Sequence, residues 1–152
     1  MAQQKQKSNF VYLLPIIFIS SIVPLLVFLK KNKLSGIAKK YWTSATNMDF
    51  FSYYKMVWLL IATAVGLFIF FLYTIYEEKI KKTWYYVPLG IYGLCIIGST
   101  IAAKYKSVAL FGFPDRYEGM FVLLAYLFIT VITINLVRYE KDIKILLKAL
   151  FG

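Results

Sequence analysis

Four stretches of the chain carry no charged residue, and each is about as long as a bilayer is thick. There are 22 residues between Lys7 and Lys30, 21 between Lys55 and Glu77, 21 between Lys82 and Lys104, and 19 between Glu118 and Arg138. A hydrocarbon core about 30 Å thick is crossed by roughly 20 helical residues. Within each stretch the apolar residues are continuous and do not alternate, which disfavours a β-barrel. Backbone groups in lipid must be paired within the segment, so each stretch is predicted to be helical. The pattern therefore predicts an all-α fold: a polytopic transmembrane helical bundle with about four membrane-spanning helices. These fall at approximately 10–29, 56–76, 85–103 and 119–137, in a single transmembrane module covering 1–152. The tail 138–152 is amphipathic. Ile143, Leu146, Leu147 and Leu150 share one helical face, with Lys141, Lys144 and Lys148 on the polar side. Such a tail either lies flat on a membrane surface or leads into a further span.

Details within the runs refine this picture. Pro15 and Pro24 each remove a backbone donor, so a kinked first helix is expected. Lys5 and Lys7 before this run also suit a signal peptide. Its apolar region, however, exceeds the usual 7–15 residues and no small-x-small cleavage site follows, which favours a retained helix. Ala62 and Gly66 in the second run, and Cys95, Ser99 and Ala103 with Gly98 and Ala102 in the third, have the small-residue spacing of close helix packing; a substrate groove is the other reading. Tyr41 and Trp42, then Phe50, Phe51, Tyr53 and Tyr54, then Trp84, Tyr85 and Tyr86, lie where aromatic belts form at membrane borders.

Composition agrees with the pattern. The chain is 61% hydrophobic and 19% aromatic, against about 45–50% apolar for soluble domains. A soluble protein this small has too much surface for its volume to hide that excess. The net charge of +11 would suggest nucleic acid in a soluble chain. Here the lysines flank the apolar runs, which points to anionic lipid headgroups and not to a nucleic-acid partner. Histidine is absent and Cys95 is the single cysteine. That excludes Ser-His-Asp chemistry and imidazole zinc sites, and no metal or cofactor is expected. None of the four runs holds an ionisable acid or base of the kind a proton or ion pathway needs. Charge does not orient the chain. With a cytoplasmic N-terminus the inner and outer segments hold nine lysines and arginines each, so the positive-inside rule gives a tie.

The third connection is the one place where chemistry gathers. Phe113-Pro114-Asp115 favours a turn, and Asp115 is a candidate cap for the helix that follows. Glu118 falls in or near that helix's first turn, where a negative charge suits the dipole. Arg116 at a membrane border can grip a phosphate through two parallel hydrogen bonds, and Lys104 and Lys106 add charge for the same anion. The plain alternative is a loop, a cap and an interfacial ion pair.

Gly112-Phe-Pro-Asp-Arg116-Tyr-Glu118-Gly119-Met-Phe, running into Leu123-Leu-Ala-Tyr126, resembles the N-terminal signature of the O-antigen ligase-like membrane proteins, in which an Arg-x-Glu-Gly motif opens a helix. Asp49-Phe-Phe-Ser-Tyr-Tyr-Lys55 is similar to a segment before the second helix in Gram-positive members. The resemblance runs over most of the chain from the first helix onward. It implies a glycan ligase or polymerase of cell-surface polysaccharide assembly in the bacterial cytoplasmic membrane. Such an enzyme transfers saccharide with inversion from a polyprenyl-pyrophosphate carrier, without metal. It also implies a cytoplasmic N-terminus, which places Arg116 outside. Arg116, Glu118, Lys104 and Lys106 are then the substrate-binding candidates, with no catalytic residue assigned. Family members have about ten or more helices, a large later external loop with further essential arginines and, in ligases, a histidine. This chain accordingly looks like an N-terminal fragment, a truncated gene product or a split subunit, incomplete as a catalyst and needing the remaining helices or a partner subunit. The alternative is a small non-enzymatic membrane scaffold or accessory subunit.

Overall fold

In the computed structural model, residues 10–34, 36–41, 46–77, 80–114 and 116–151 are described. Trp42 and Asp115, and with Asp115 its expected cap, lie outside them. The chain is mostly helical, as the apolar runs require, with one short β pair among the described residues. The helices are α1 (Phe10–Ile17), α2 (Ile37–Tyr41), α3 (Ser52–Glu77), α4 (Tyr86–Ala102), α5 (Lys106–Phe111), α6 (Met120–Leu136) and α7 (Glu140–Phe151). Strands β1 (Lys30–Lys33) and β2 (Thr46–Asp49) pair antiparallel, with Lys30 opposite Asp49 and Asn32 opposite Asn47.

Among the described residues one helix, over Ser52–Tyr76, is long and apolar enough to cross a membrane; Val11–Leu25, Tyr86–Ala102 and Met120–Leu136 are shorter apolar segments. Only 28% of the apolar window in α3 is buried. Phe68 and Phe71 are each 62% exposed, Leu94 is 71% exposed and Ile101 70%. The helices thus keep large apolar side chains on their outer faces.

The first apolar run does not form one helix over 10–29. α1 contains Pro15, passes into a π turn at Phe18–Ile22 and a 3-10 turn at Val23–Leu25, and is extended by Leu26. The cause is local. Pro24 has no N–H for the preceding turn, while the Val23 N–H reaches back five residues to the Phe18 carbonyl. Ser20 Oγ donates to the Ile17 carbonyl at 3.2 Å.

Three helices make the core. α1 runs antiparallel to α3, with Tyr12 edge-on to Tyr73 at 5.3 Å and Phe18 at 5.9 Å from Trp58. α6 runs parallel to α3. A side chain at Gly66 would sit 3.4 Å from both Ile132 Cδ1 and Pro15 Cβ, so the Ala62/Gly66 face is where α1, α3 and α6 approach. Leu13, Ile16, Tyr73, Ile132 and Leu136 fill the centre. α4 packs antiparallel on α6 through Gly93, 3.1 Å from Leu127 Cδ1 by the same measure. The small-residue stripe of the third run does not pack: Cys95, Gly98, Ser99 and Ala102 are exposed, and the buried face of α4 is Gly93, Ile96 and Thr100.

The tail helix α7 returns along α1. Ser21 Oγ donates to the Ala149 carbonyl and Leu146 packs on the core. Ile143, Leu147 and Leu150 stay exposed, so the apolar face of the tail is only partly used. Asp142 Oδ2 accepts the Arg138 and Tyr139 N–H groups at 3.2 and 3.0 Å. Two helix-start donors are thereby satisfied in the manner of a capping box. At the same end Asn135, with 0% exposure, accepts the Lys81 N–H at 3.0 Å and donates to the Tyr86 hydroxyl at 2.7 Å. This buried amide fastens the 80–86 connection to α6.

Candidate functional site

The opposite end of the bundle is built by the β pair. Side chains opposite one another on antiparallel strands share a face. The inner face therefore holds Lys30, Asn32, Asn47 and Asp49. Asp49 is 3% exposed, and its carboxylate accepts the N–H groups of Phe51 (2.9 Å), Ser52 (2.8 Å) and Tyr53 (2.8 Å). A helix start leaves such donors free and favours negative charge. Asp49 thus ties β2 to the start of α3. Asn32 Nδ2 donates to the Tyr117 hydroxyl, and the Tyr117 ring meets Tyr53 edge-on at 5.4 Å. The Lys30 ammonium sits over the other ring of this group, Tyr53, a cation–π contact.

Tyr117 belongs to the loop joining α5 to α6. The loop has a tight neck. Gly112 adopts φ 84°, ψ 172°, a region open essentially to glycine alone. A Cβ there would lie 2.6 Å from Tyr117 Cα, and one on Gly119 would lie 2.5 Å from the Leu110 carbonyl carbon. Both neighbours are backbone, so both glycines are needed for the strands of the loop to close. Tyr117 itself has φ 47°, costly for a bulky side chain. Its partners, Asn32 and Tyr53, hold it there. With this residue turned left-handed, Arg116 and Glu118 on either side of it meet, Nε to Oε2, at 2.9 Å.

This loop closes one side of an open cleft of about 510 Å³. Lys55, Ser52, Arg116, Tyr117 and Glu118 give it a polar rim, and Ile19, Val23, Pro24, Met56, Leu59 and Val122 give it an apolar wall. The Arg116 and Glu118 side chains are 81% and 50% exposed. Such an exposed pair contributes little to stability, so the arginine can exchange partners at small cost. With Lys55 counted, the rim carries two cations against one carboxylate.

Of the four residues singled out from the sequence, the structure brings two together. Arg116 and Glu118 share the cleft; Lys104 and Lys106 do not line it. Lys106 Nζ instead donates to the carbonyls of Thr100 (3.2 Å) and Ile101, closing the C-terminal end of α4. Lys104 lies 5.9 Å from the Tyr105 ring. Glu118 falls near the first turn of α6 and not within it, directly before the N-cap Gly119. Lys55, Tyr117, Asn32 and Lys30 were not singled out from the sequence. Lys55 had a usable signal, as the charged residue at the border of the second apolar run. Asn32 and Lys30 had none, because their part depends on strand register. No family model, no curated protein and no solved structure matches this chain.

Proposed function

We propose that the chain is the N-terminal membrane module of an O-antigen ligase-like glycan transferase. In this reading it is a polytopic bundle in the bacterial cytoplasmic membrane, with its N-terminus cytoplasmic and the cleft at its outer end. The cleft receives a polyprenyl-pyrophosphate-linked saccharide of polysaccharide assembly. The observation that carries the reading is the two-part lining of the cleft, in which Arg116, Lys55 and Glu118, two cations and one carboxylate, stand with apolar residues. That pairing suits a ligand with an anionic head on a hydrocarbon chain. The membrane reading is supported by the exposed apolar flanks of α3, α4 and α6 and by exposed Tyr76, Trp84 and Tyr85 at the far end. α4 and α6, at 17 residues each, are at the short end of the spanning range.

On binding, Arg116 exchanges Glu118 for phosphate oxygens, which it can hold bidentately, and Lys55 adds a point charge. Glu118 keeps Arg116 aligned until then. Fixed positive charge aimed at the pyrophosphate also favours its departure as an anion. The module binds and orients the carrier; completing the transfer requires groups supplied by further helices or a partner subunit.

The test is binding of a polyprenyl-pyrophosphate glycan to the chain in nanodiscs. Loss of a charge-assisted hydrogen bond costs about 1.5–3 kcal/mol, roughly 10- to 150-fold in affinity. Arg116→Ala and Lys55→Ala are expected to weaken binding on that scale, while Lys104→Ala is expected to leave it unchanged. Equal affinity of wild type and Arg116→Ala would overturn the assignment. A second reading, a non-enzymatic scaffold or accessory subunit, draws on the Arg116–Glu118 pair being already mutually neutralised at the surface. It predicts no carrier binding at all.

A further inference from the structure

The β pair has a second face. Lys31 and Lys33 alternate outward from Lys30 and Asn32, and both are exposed. Lys31 lies opposite Met48, itself 55% exposed. On α2, between the strands, Lys39 and Lys40 are also exposed. The one acid between residues 26 and 56 is Asp49, buried and engaged by three N–H groups. The charged side chains that β1, α2 and β2 themselves leave exposed are therefore all lysines. Next to β1 in the chain, Val27, Phe28 and Leu29 are each more than half exposed. These residues lead directly out of the first apolar run into β1.

We propose that this outward face of the β1–β2 pair docks on the surface of an anionic lipid bilayer. Exposed lysines, Lys31 and Lys33 on the strand and Lys39 and Lys40 on the connecting helix, together with exposed aromatic and aliphatic side chains, are the composition of an interfacial element. Phosphate-bearing headgroups complement the lysines, and the acyl boundary takes Val27, Phe28 and Leu29. A soluble acidic polymer would match the charge but not the apolar flank. The surface is distinct from the cleft: the inner face of the same strands serves Tyr117 and α3. The proposal rests on the membrane part of the functional reading and not on the carrier.

The experiment uses the full chain with Cys95→Ser and a fluorophore on a cysteine introduced at Met48. A parallel sample carries the label at Leu94. Liposomes contain either spin-labelled phosphatidylglycerol or spin-labelled phosphatidylcholine, labelled on the headgroup or on the acyl chain. Acyl-chain labels are expected to quench position 94, which shows that the bundle is inserted. Headgroup-labelled phosphatidylglycerol is expected to quench position 48 more than phosphatidylcholine does. Each lysine near a charged surface is worth about fivefold in lipid preference, so Lys31→Gln with Lys33→Gln lowers the preference roughly 25-fold, and high salt does the same. Arg116→Ala leaves it unchanged. These lysines are exposed, so the variants fold, which an unchanged thermal melt verifies. Equal quenching by the two headgroups, or none at position 48 while position 94 is quenched, overturns the proposal. Suppression of quenching by soluble polyphosphate without a lipid preference assigns the face to an acidic polymer and overturns it equally. Absence of quenching at position 94 instead overturns the membrane reading.

Discussion

Gly119→Ala tests the loop neck most directly, because at this residue the backbone conformation is ordinary and the cost begins with a steric overlap. Gly119 has φ −93° and ψ −176°, a backbone any residue adopts. An added Cβ would nonetheless overlap the Leu110 carbonyl and the Gly112 nitrogen. Neither can rotate away as a side chain does, so the neck must open by the better part of an ångström. Overpacking of a rigid site costs about 1–3 kcal/mol, and opening also costs the hydrogen bond from Gly112 N to the Val108 carbonyl, 2.8 Å, about 1 kcal/mol. Gly119→Ala is expected to destabilise by about 2–4 kcal/mol. Gly98→Ala is the matched control: on the open face of α4 an added Cβ would meet nothing within 4 Å, and alanine gains up to about 1 kcal/mol of helix propensity. The assay is reversible unfolding in mixed micelles by titration with denaturing detergent, read by circular dichroism. A spin label at Arg116, on the cysteine-free background, reports loop mobility in the same variants. Equal stability of Gly119→Ala and Gly98→Ala, with no added mobility at position 116, would refute the account of the neck.

The remaining predictions concern groups that tie elements together. Asp49→Ala strips three N–H groups of their acceptor and is expected to cost about 2–3 kcal/mol, with Asp49→Asn intermediate, in the same unfolding assay. Asn135→Leu leaves the Lys81 N–H and Tyr86 hydroxyl without their partner. It is expected to cost about 1–3 kcal/mol, and a double-mutant cycle with Tyr86→Phe should show coupling between the two sites. Tyr117→Phe and Asn32→Ala remove the same hydrogen bond, so each is expected to raise label mobility at position 116 and the pair together to add nothing further.

How much of this was legible in the sequence depends on the range over which each feature is fixed. Apolar run length is local, and it located α3, α4 and α6 within a few residues. The break in the first run was half-legible: Pro15 and Pro24 announced a disturbance, but whether it would be a kink or an exit from helix depended on the Val23–Phe18 hydrogen bond. The β pair was not legible. Lys30-Lys31-Asn32-Lys33 has neither the alternation nor the β-branched residues of a strand, and it is held by contacts to Thr46–Asp49 and to Tyr117, the latter 85 positions away. Small-residue spacing was ambiguous for a physical reason. Ala62/Gly66 and Cys95/Ser99 look alike in sequence, and only the arrangement of α1, α3 and α6 decides that the first packs and the second faces outward.

The same reasoning explains why the site was found in part. Arg116 and Glu118 are two residues apart, and a local motif can show them. What makes them a pair in a cleft, however, is the left-handed Tyr117 between them, and an aromatic residue does not take that backbone unaided. The compensation comes from the inner face of the β pair, through Asn32, and from the start of α3, through Tyr53. Asp49 in turn fixes those two elements to each other. The geometry at Arg116 therefore depends on a chain of contacts that begins at a lysine-rich strand with no chemistry of its own. Lys106 shows the converse. Its charge and position suggested an anion ligand, yet the carbonyls at the end of α4 lie closer and need a donor. A free helix end attracts a nearby cation. Proximity in sequence to a candidate site is thus weaker evidence than placement in the fold: Lys55, far from Arg116 in the chain, lines the same cleft, and Lys106, close to it in the chain, does not.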